Sequence, residues 1–264
     1  MSNHSAYRTF VDRLSKTKDS VREKSTKKRK SLGLRTAREN LDDLVDPGSF
    51  LEFGAFAVAA QRNRRDYEEL QLETSADGIL TGFCNINEDE VGEDNSHAAA
   101  IIYDYSVLAG SQGFFHHQKL DRICEKAEEF SLPVVIFTEG GGGRPGDTDV
   151  TTQIAGLHIP SFSTWARLTG KCLKIAVNNG YCFAGNAVLF GCSDFMIATK
   201  QSWIGMAGPA MIEGGGLGVY DPKEIGPAEE QYKNGVLDYL AEDEKDATFI
   251  AKKLLSYFQG NLSD

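Results

Sequence analysis

The chain has 264 residues, 41% hydrophobic and 25% charged, with a formal net charge of −10. That length can bury a core without disulfide or metal staples, as one large or two small domains, and no apolar run approaches the ~20 residues of a membrane span. The charge is uneven, with 12 Lys/Arg against 4 Asp/Glu in residues 1–40 and a strongly acidic remainder. From the start, Tyr7 to about Lys30 reads as a polar helix, broken at Gly33, and a second helix is expected over Thr36–Leu44, stopped by the turn Asp46-Pro47-Gly48. Phe50–Phe53 begins a strand, and the highly charged stretch Gln61–Ser75 reads as a mobile surface loop. Gly78–Ile86 and Ala98–Tyr105 read as strands around an acidic hairpin loop, Asn87–Ser96.

From Phe114 the period changes: Phe115, Leu120, Ile123, Cys124, Ala127 and Phe130 recur at mostly three- and four-residue steps, as on one helix face. Leu132-Pro133 ends that helix. Val134–Phe137 is a short continuous apolar run, as expected of a strand covered on both sides. There follow a loop, Glu139–Asp149, a helix from about Thr151 to Leu168, a strand over Leu173–Val177, a loop over Asn178–Phe183 and a short helix over Ala184–Phe190. A strand over Phe195–Ala198, a loop over Trp203–Leu217 and a last helix from about Asp243 to Tyr257 complete the pattern. Strands alternating with helices argue for an α/β fold.

Five cysteines (Cys84, Cys124, Cys172, Cys182, Cys192) are widely spaced without a CxxC pair, which argues against a zinc ribbon and a disulfide scaffold. Reduced thiols are expected, in the cytoplasm or else a mitochondrial matrix. The polar stretch Ser2–Ser5 has no apolar h-region, so an ordinary secretory leader is not expected. A basic arm on an acidic body suits nucleic acid, anionic lipid, an acidic partner or cofactor phosphates. The plainer expectation is a solvated helical extension, and no aromatics interleave with Lys27-Lys28-Arg29-Lys30 to suggest a nucleic-acid module.

Three glycine-rich stretches stand where strands end: Glu139–Asp147, Asn179–Asn186 and Gly208–Gly218. Glycine lets main-chain N–H groups approach a ligand closely. Where such a loop opens a helix, free amides and the helix dipole point at an anion. A P-loop needs Gly-Lys-Ser/Thr and a serine-hydrolase elbow needs GxSxG; both are absent, and Ala109-Gly110-Ser111-Gln112-Gly113 has alanine at the first glycine position. HExxH is absent too, the adjacent His116-His117 cannot share a helix face, and no metal is expected. Cys182 reads as a buried structural cysteine rather than a nucleophile. What remains is oxyanion stabilisation by main-chain amides, without a nucleophilic side chain; enolate chemistry on a thioester fits it.

At these loops the chain resembles the N-terminal domain of the biotin-dependent acyl-CoA carboxyltransferases, from about Thr36 to Phe258. The likeness is carried by Arg38–Glu52, by Asp77-Gly78-Ile79-Leu80-Thr81-Gly82, and by Asp104–Gly113 followed by His117 and Lys119. It continues through Cys182-Phe183-Ala184-Gly185-Asn186-Ala187 and Tyr232–Asp238. The resemblance implies a crotonase-like superhelix of repeated ββα units over residues 36–264, preceded by the arm over 1–35. It implies a coenzyme A thioester as substrate, and carboxybiotin, carried on a separate domain or subunit, as carboxyl donor and source of the base. It implies that the amides of Gly185 and Asn186 hold the enolate oxygen, with Ala184 beside them. Gly141, Gly142, Gly143 and Arg144 would border the CoA thiol arm and acyl pocket. Gly110, Ser111 and Lys119 are candidates for CoA contacts, against a helix cap and a surface lysine. Gly208, Pro209 and Glu213 would line the acyl or biotin side.

Two departures stand out. The family's usual first loop is Ser-Gly-Gly-Ala-Arg, where this chain has Glu139-Gly140-Gly141-Gly142-Gly143-Arg144, and Asn186 stands where a second glycine is common. Family members usually carry a second, homologous domain for the biotin side, and the four-cysteine zinc motif of the bacterial split subunit is absent here. The expected partners are therefore acyl-CoA, a second carboxyltransferase domain or subunit, a biotin carboxyl carrier and further copies in an oligomer, with neither nucleic acid nor membrane. Alternatives from other classes are an acyl-CoA decarboxylase, a stand-alone crotonase-like hydratase or thioesterase, and a non-catalytic scaffold subunit.

Overall fold

A computed structural model describes residues 2–150 and 159–260. Its centre is a seven-stranded sheet built from β1 (Leu51–Phe53), β2 (Ile79–Asn85), β3 (His97–Tyr103), β4 (Val134–Phe137), β5 (Lys174–Asn178), β7 (Phe195–Thr199) and β9 (Tyr239–Ala241), in that order. β1, β2 and β3 pair antiparallel, with Leu51 opposite Phe83 and Leu80 opposite Ile102. From β3 onward every pairing is parallel: Ile101 lies opposite Ile136, Ile136 opposite Ala176 and Val177 opposite Ile197. Parallel strands need crossovers that cover both faces of a sheet, which is why β4 and β5 are apolar almost without a break.

The alternation of side chains sorts these strands into two cores. Ile79, Ile101, Ile136 and Ala176 face one side. There they meet Leu120 and Ile123 of α7 (Phe114–Phe130), Trp165 of α8 (Ser161–Arg167), and Leu189 and Phe190 of α9 (Gly185–Gly191). Leu80, Ile102, Val135, Phe137 and Val177 face the other. There they meet Leu41 and Leu44 of α3 (Ala37–Leu44) and Ala247, Ala251 and Leu255 of α12 (Glu244–Ser256). Both of the latter helices start where side chains dictate. Thr36 accepts from Glu39 N–H while Glu39 returns the bond, a capping box, and Asp243 accepts from Asp246 N–H.

A second, smaller layer stands at one end of the sheet. After β4, Gly140 bridges to Cys182; after β5, β6 (Tyr181–Phe183) pairs parallel with β8 (Trp203–Gly205), which itself follows β7. β5 and β7 are thus each followed by a short strand turned aside before the next helix, and β4 by a single bridge, which brings the loops after these strands to one end.

Several expectations need correction. The arm is two helices, α1 (Ser2–Ser15) and α2 (Glu23–Ser31), and it is not solvated throughout, because Arg22 and Arg29 are buried. The stretch Gln61–Ser75 is not a bare loop: α4 (Tyr67–Glu73) starts on Asp66 and buries Leu70 against Val58 and Ala59. The acidic hairpin loop contains two helical turns, α5 (Glu88–Val91) and α6 (Glu93–Ser96). The loop Trp203–Leu217 holds β8 and α10 (Pro209–Gly214), and α11 (Ala228–Lys233) and β9 follow it. On α7, Phe115 and Phe130 are exposed, and the buried face instead includes His116, His117 and Lys119. The first part of the helix expected from Thr151, residues 151–158, lies outside the described residues.

Ile136 is fully buried at the centre of the sheet. Ile136→Ala is expected to lower the unfolding free energy by about 2–5 kcal/mol. Thr36→Ala, which removes a cap, should lower it by about 1 kcal/mol. Chemical denaturation of the two variants measures both.

Candidate functional site

The glycine loops converge through the Asn186 side chain and isolated main-chain bonds rather than through a long regular ladder. Leu108, Ala109 and Gly110 all have positive φ, and this left-handed turn directs two carbonyls at its neighbours. Ala109 O accepts Gly141 N–H at 3.1 Å, and Gly110 O accepts the Asn186 side-chain amide at 3.4 Å. Gly142 N–H donates to Asn186 Oδ1 at 3.0 Å, and Asn186 Nδ2 also donates to Thr138 O at 3.0 Å. Asn186 is fully buried, so its amide joins three segments of chain with no solvent competing. Gly142 O receives Gln112 N–H at 2.8 Å, which ties the first loop to the start of α7.

Within this frame some N–H groups are left over. Gly185 and Asn186 are the first residues of α9, and among the described residues neither N–H has an acceptor. Gly143 N–H, on the facing loop, has none either. A Cβ built on Gly142 would lie 3.7 Å from Gly185 N, so the two loops are neighbours. Ala184, which precedes the helix, has φ 52 and ψ −121, a conformation that costs a non-glycine residue about 1–3 kcal/mol. That conformation turns the chain into the start of α9. Uncommitted donors at a helix start favour negative charge placed before them.

The remaining expected residues fall into two groups. Gly208 joins the cluster at its edge: a Cβ there would lie 3.5 Å from the Phe183 ring, and Pro209 opens α10. The others face elsewhere. Ser111 donates to Leu108 O at 2.6 Å and closes its own turn. Glu213 is exposed on α10. The Arg144 side chain is buried, bonded to Asp77 and, at 2.8 Å, to Asp147, and among the described residues only its Nη1 lacks a partner. Lys119 is no surface lysine. Its ammonium donates to Ala76 O at 2.8 Å and to Ile79 O, and burial pulls its pKa down to about 8. It braces the turn at 76–78 instead of reaching outward.

Cys182 is a buried thiol that burial pushes up to about 12, which leaves no thiolate near neutral pH. His116 and His117 are both buried on α7 with ring centroids 6.1 Å apart, and burial holds His117 down at about 4, with the Arg144 charge adding to it. Among the described residues no group of three or more His, Cys, Asp or Glu is arranged to hold a metal ion.

Three residues of the site were not singled out from the sequence. Gln112 and Phe162 stand against Gly185: a Cβ on Gly185 would overlap the Gln112 side-chain oxygen and come within 2.9 Å of the Phe162 ring. Gln112 lay within a recognised junction; Phe162 gave no signal at all. The third is Glu139, buried at the head of the first loop, where Arg29 pairs with it at 2.9 Å. Burial pushes its carboxyl up to about 7 against the pull of Arg29, and Glu244 and Asp104 add to the rise.

Residues 28–263 match the carboxyl transferase domain family, and the chain belongs to it. It is 32% identical to the methylmalonyl-CoA carboxyltransferase 12S subunit of Propionibacterium freudenreichii subsp. shermanii over 241 residues, 90% of this chain and 43% of that protein. Among solved structures it is similar to a single-chain, multi-domain long-chain acyl-CoA carboxylase, with 50% identity and a TM-score of 0.93, over 98% of this chain and 26% of that one. It is also similar to the hexameric transcarboxylase 12S structure with methylmalonyl-CoA and methylmalonic acid bound, with 29% identity and a TM-score of 0.76, over 95% and 48%. The fold is thus the crotonase-like α/β fold of the carboxyltransferases, and the chain spans under half the length of the curated relative it matches.

Asn186→Ala is expected to lower stability by about 1–3 kcal/mol, because it orphans the buried Gly142 N–H; denaturant titration measures this. Glu139 also sets a pH slope. Its folded pKa is raised, so its contribution is full below about 4.5 and is lost as pH rises through 7. The loss is on the order of 3 kcal/mol. His117 has the opposite sign, its contribution being full above 6.5 and lost as pH falls toward 4. Subtracting the stability profile of Glu139→Gln from that of the wild type isolates the Glu139 slope, and equal profiles would refute it.

Proposed function

We propose that this chain forms the acyl-CoA half of a biotin-dependent carboxyltransferase site. The observation that carries the reading is the set of uncommitted N–H groups at Gly143, Gly185 and Asn186, in a chain of the carboxyl transferase family. The thioester carbonyl oxygen would lie against the amides of Gly185 and Asn186, with Gly143 on the facing side. When the α-carbon loses its proton, charge moves onto that oxygen and the N–H dipoles stabilise it. The loops are already bonded in place, so little reorganisation accompanies the step; one such donor contributes about 2.7–4 kcal/mol. Gly141–Gly143 leave room for the thiol arm, with Gln112 and Phe162 closing the floor beneath Gly185.

Among the described residues no side chain beside these amides is a ready base. Arg144 is locked in carboxylates, Cys182 stays a thiol and Glu139 faces the arm. Carboxybiotin, brought by another domain or subunit, would supply the carboxyl group and the base. The half-buried Gly208-Pro209 turn and exposed Glu213 present an open face on which such a carrier can approach. The substrate class we infer is a long-chain acyl-CoA, as named for the relative with 50% identity. Met211 and Leu217 on the third loop, with Met206 and Val219 flanking it, display apolar surface, and the loop's Gly208 packs on Phe183.

Calorimetry tests the reading. The chain should bind lauroyl-CoA more tightly than propionyl-CoA, and Gly185→Val, whose side chain would collide with Gln112, should abolish binding. Paired with a biotin-side partner, Gly142→Ala should lower the carboxylation rate, since a Cβ there would lie 2.8 Å from the Ala184 methyl and press on the turn that opens α9. No heat with any acyl-CoA would overturn the assignment.

A further inference from the structure

The reaction does not use the basic arm, yet the arm places two arginines inside the molecule. Arg29 on α2 holds Glu139 with two bonds, Nη1 to Oε1 at 3.0 Å and Nη2 to Oε2 at 2.9 Å. Its Nε donates to Arg35 O at 2.6 Å, its Nη2 lies 3.5 Å from Glu244 Oε1, and its guanidinium covers the Tyr105 ring at 5.8 Å. Arg29, Glu139 and Glu244 are all buried.

The partners of Arg29 are the points from which the first two glycine loops hang. Glu139 is followed by Gly140, whose N–H donates to Tyr181 O at 2.7 Å and whose O accepts Phe183 N–H at 3.0 Å. The Glu139 carboxylate fills the space over Gly180, where any Cβ would overlap it. Glu244 accepts from the Asn179 side chain at 2.6 Å and from Arg35 N–H at 2.7 Å. One guanidinium therefore reaches the first loop through Glu139 and the second through Glu244, Asn179 and Gly180. A second anchor repeats the arrangement. Arg22 Nη1 donates to buried Asp104 at 3.0 Å, and Asp104 O accepts Val107 N–H immediately before the left-handed turn at 108–110. Arg22 lies before the matched residues 28–263.

We propose that the arm is an internal clamp, in which Arg29 and Arg22 are positioning residues that hold the two glycine loops and the turn at 108–110 so that the amides of Gly143, Gly185 and Asn186 stay open to a ligand. What those amides bind rests on the acyl-CoA reading; the clamp itself does not. A bidentate arginine–carboxylate pair suits the task because it fixes direction as well as distance. Lysine at 29 would keep the charge and lose the fork.

Amide hydrogen exchange of the whole chain tests this at fixed pH, comparing wild type, Arg29→Met, Arg29→Lys, Glu139→Gln and the double variant R29M/E139Q. Leu80→Ala serves as a control destabilised away from the arm. In Arg29→Met, peptides over 139–147 and 178–187 should exchange at least tenfold faster while 114–130 keeps its protection. Arg29→Lys should recover part of that protection. R29M/E139Q should recover part as well, because it removes the carboxylate left without its partner. If Arg29→Met does not fold, Arg29→Lys carries the same comparison. The proposal is overturned if loop exchange in either variant only follows global protection, as in Leu80→Ala, or if only residues 1–35 change. Lauroyl-CoA titration of the same set separates the two claims. Failure of the wild type to bind rejects the acyl-CoA reading and leaves the exchange result to judge the clamp.

Discussion

Both ends of the Asn186 amide are bonded to main chain: the oxygen takes Gly142 N–H, and the nitrogen gives to Thr138 O and Gly110 O. The rest of the site depends on this side chain. A pocket lined by uncommitted N–H groups cannot be held together by those groups, since pairing them would close it. The loops must be fixed through other atoms, and a primary amide is suited to that, having two donors and an acceptor in one plane. Its bonds lie in the dry interior, where they are strong and where losing one leaves a buried polar group exposed to no water. The site's openness at the rim and its rigidity behind the rim come from the same residue.

Much of the frame was legible because its signals are local. The apolar run of β4, the period of α7 between Leu120 and Ala127, and the cap and stop of α3 each lie within a few residues of the structure they specify. The glycine loops were legible for the same reason. What escaped depends on partners far along the chain. The charges of Gln61–Ser75 conceal a helix whose only deep anchor is Leu70, and that anchor has meaning only once Val58 and Ala59 lie beneath it. The strands β6 and β8 have three residues each, too few for any alternation to show. Lys119 and Arg29 look like solvated positions because nothing nearby in sequence announces the carbonyls and carboxylates that receive them. Asn186 was read for its backbone, while its side chain acts on a loop 44 residues away.

The uneven charge of the chain follows from the same construction. Glu139 and Asp104 begin segments that must bend away from the sheet, and both are buried. A buried carboxylate needs a cation or it takes up a proton, and removing either member of such a pair is far costlier than the pair is worth on its own. Two buried cations of the body are engaged elsewhere, Arg144 with Asp77 and Asp147 and Lys119 with main-chain carbonyls. The arm brings the missing charge. A basic segment that resembles a strip for an outside partner thus answers acids inside the same molecule, and lysines such as Lys24 and Lys30 continue that pairing at the surface with Glu73 and Glu39.

The run Gly140–Gly143 separates what packing requires from what a ligand requires. Gly140 has no choice, for a Cβ there would overlap Gly110 O and the Asn186 amide. Gly142 has φ +90, and a Cβ would come within 2.8 Å of the Ala184 methyl. Gly143 is different: its φ is not in the left-handed range and nothing stands within 4 Å of where a Cβ would be. Gly141 is nearly as free, its nearest neighbour being Ala109 O at 3.7 Å. The fold by itself would accept a side chain at both, and glycine there carries the usual entropic cost without a structural return. Bare backbone on the exposed side of this loop makes sense if another molecule lies against it.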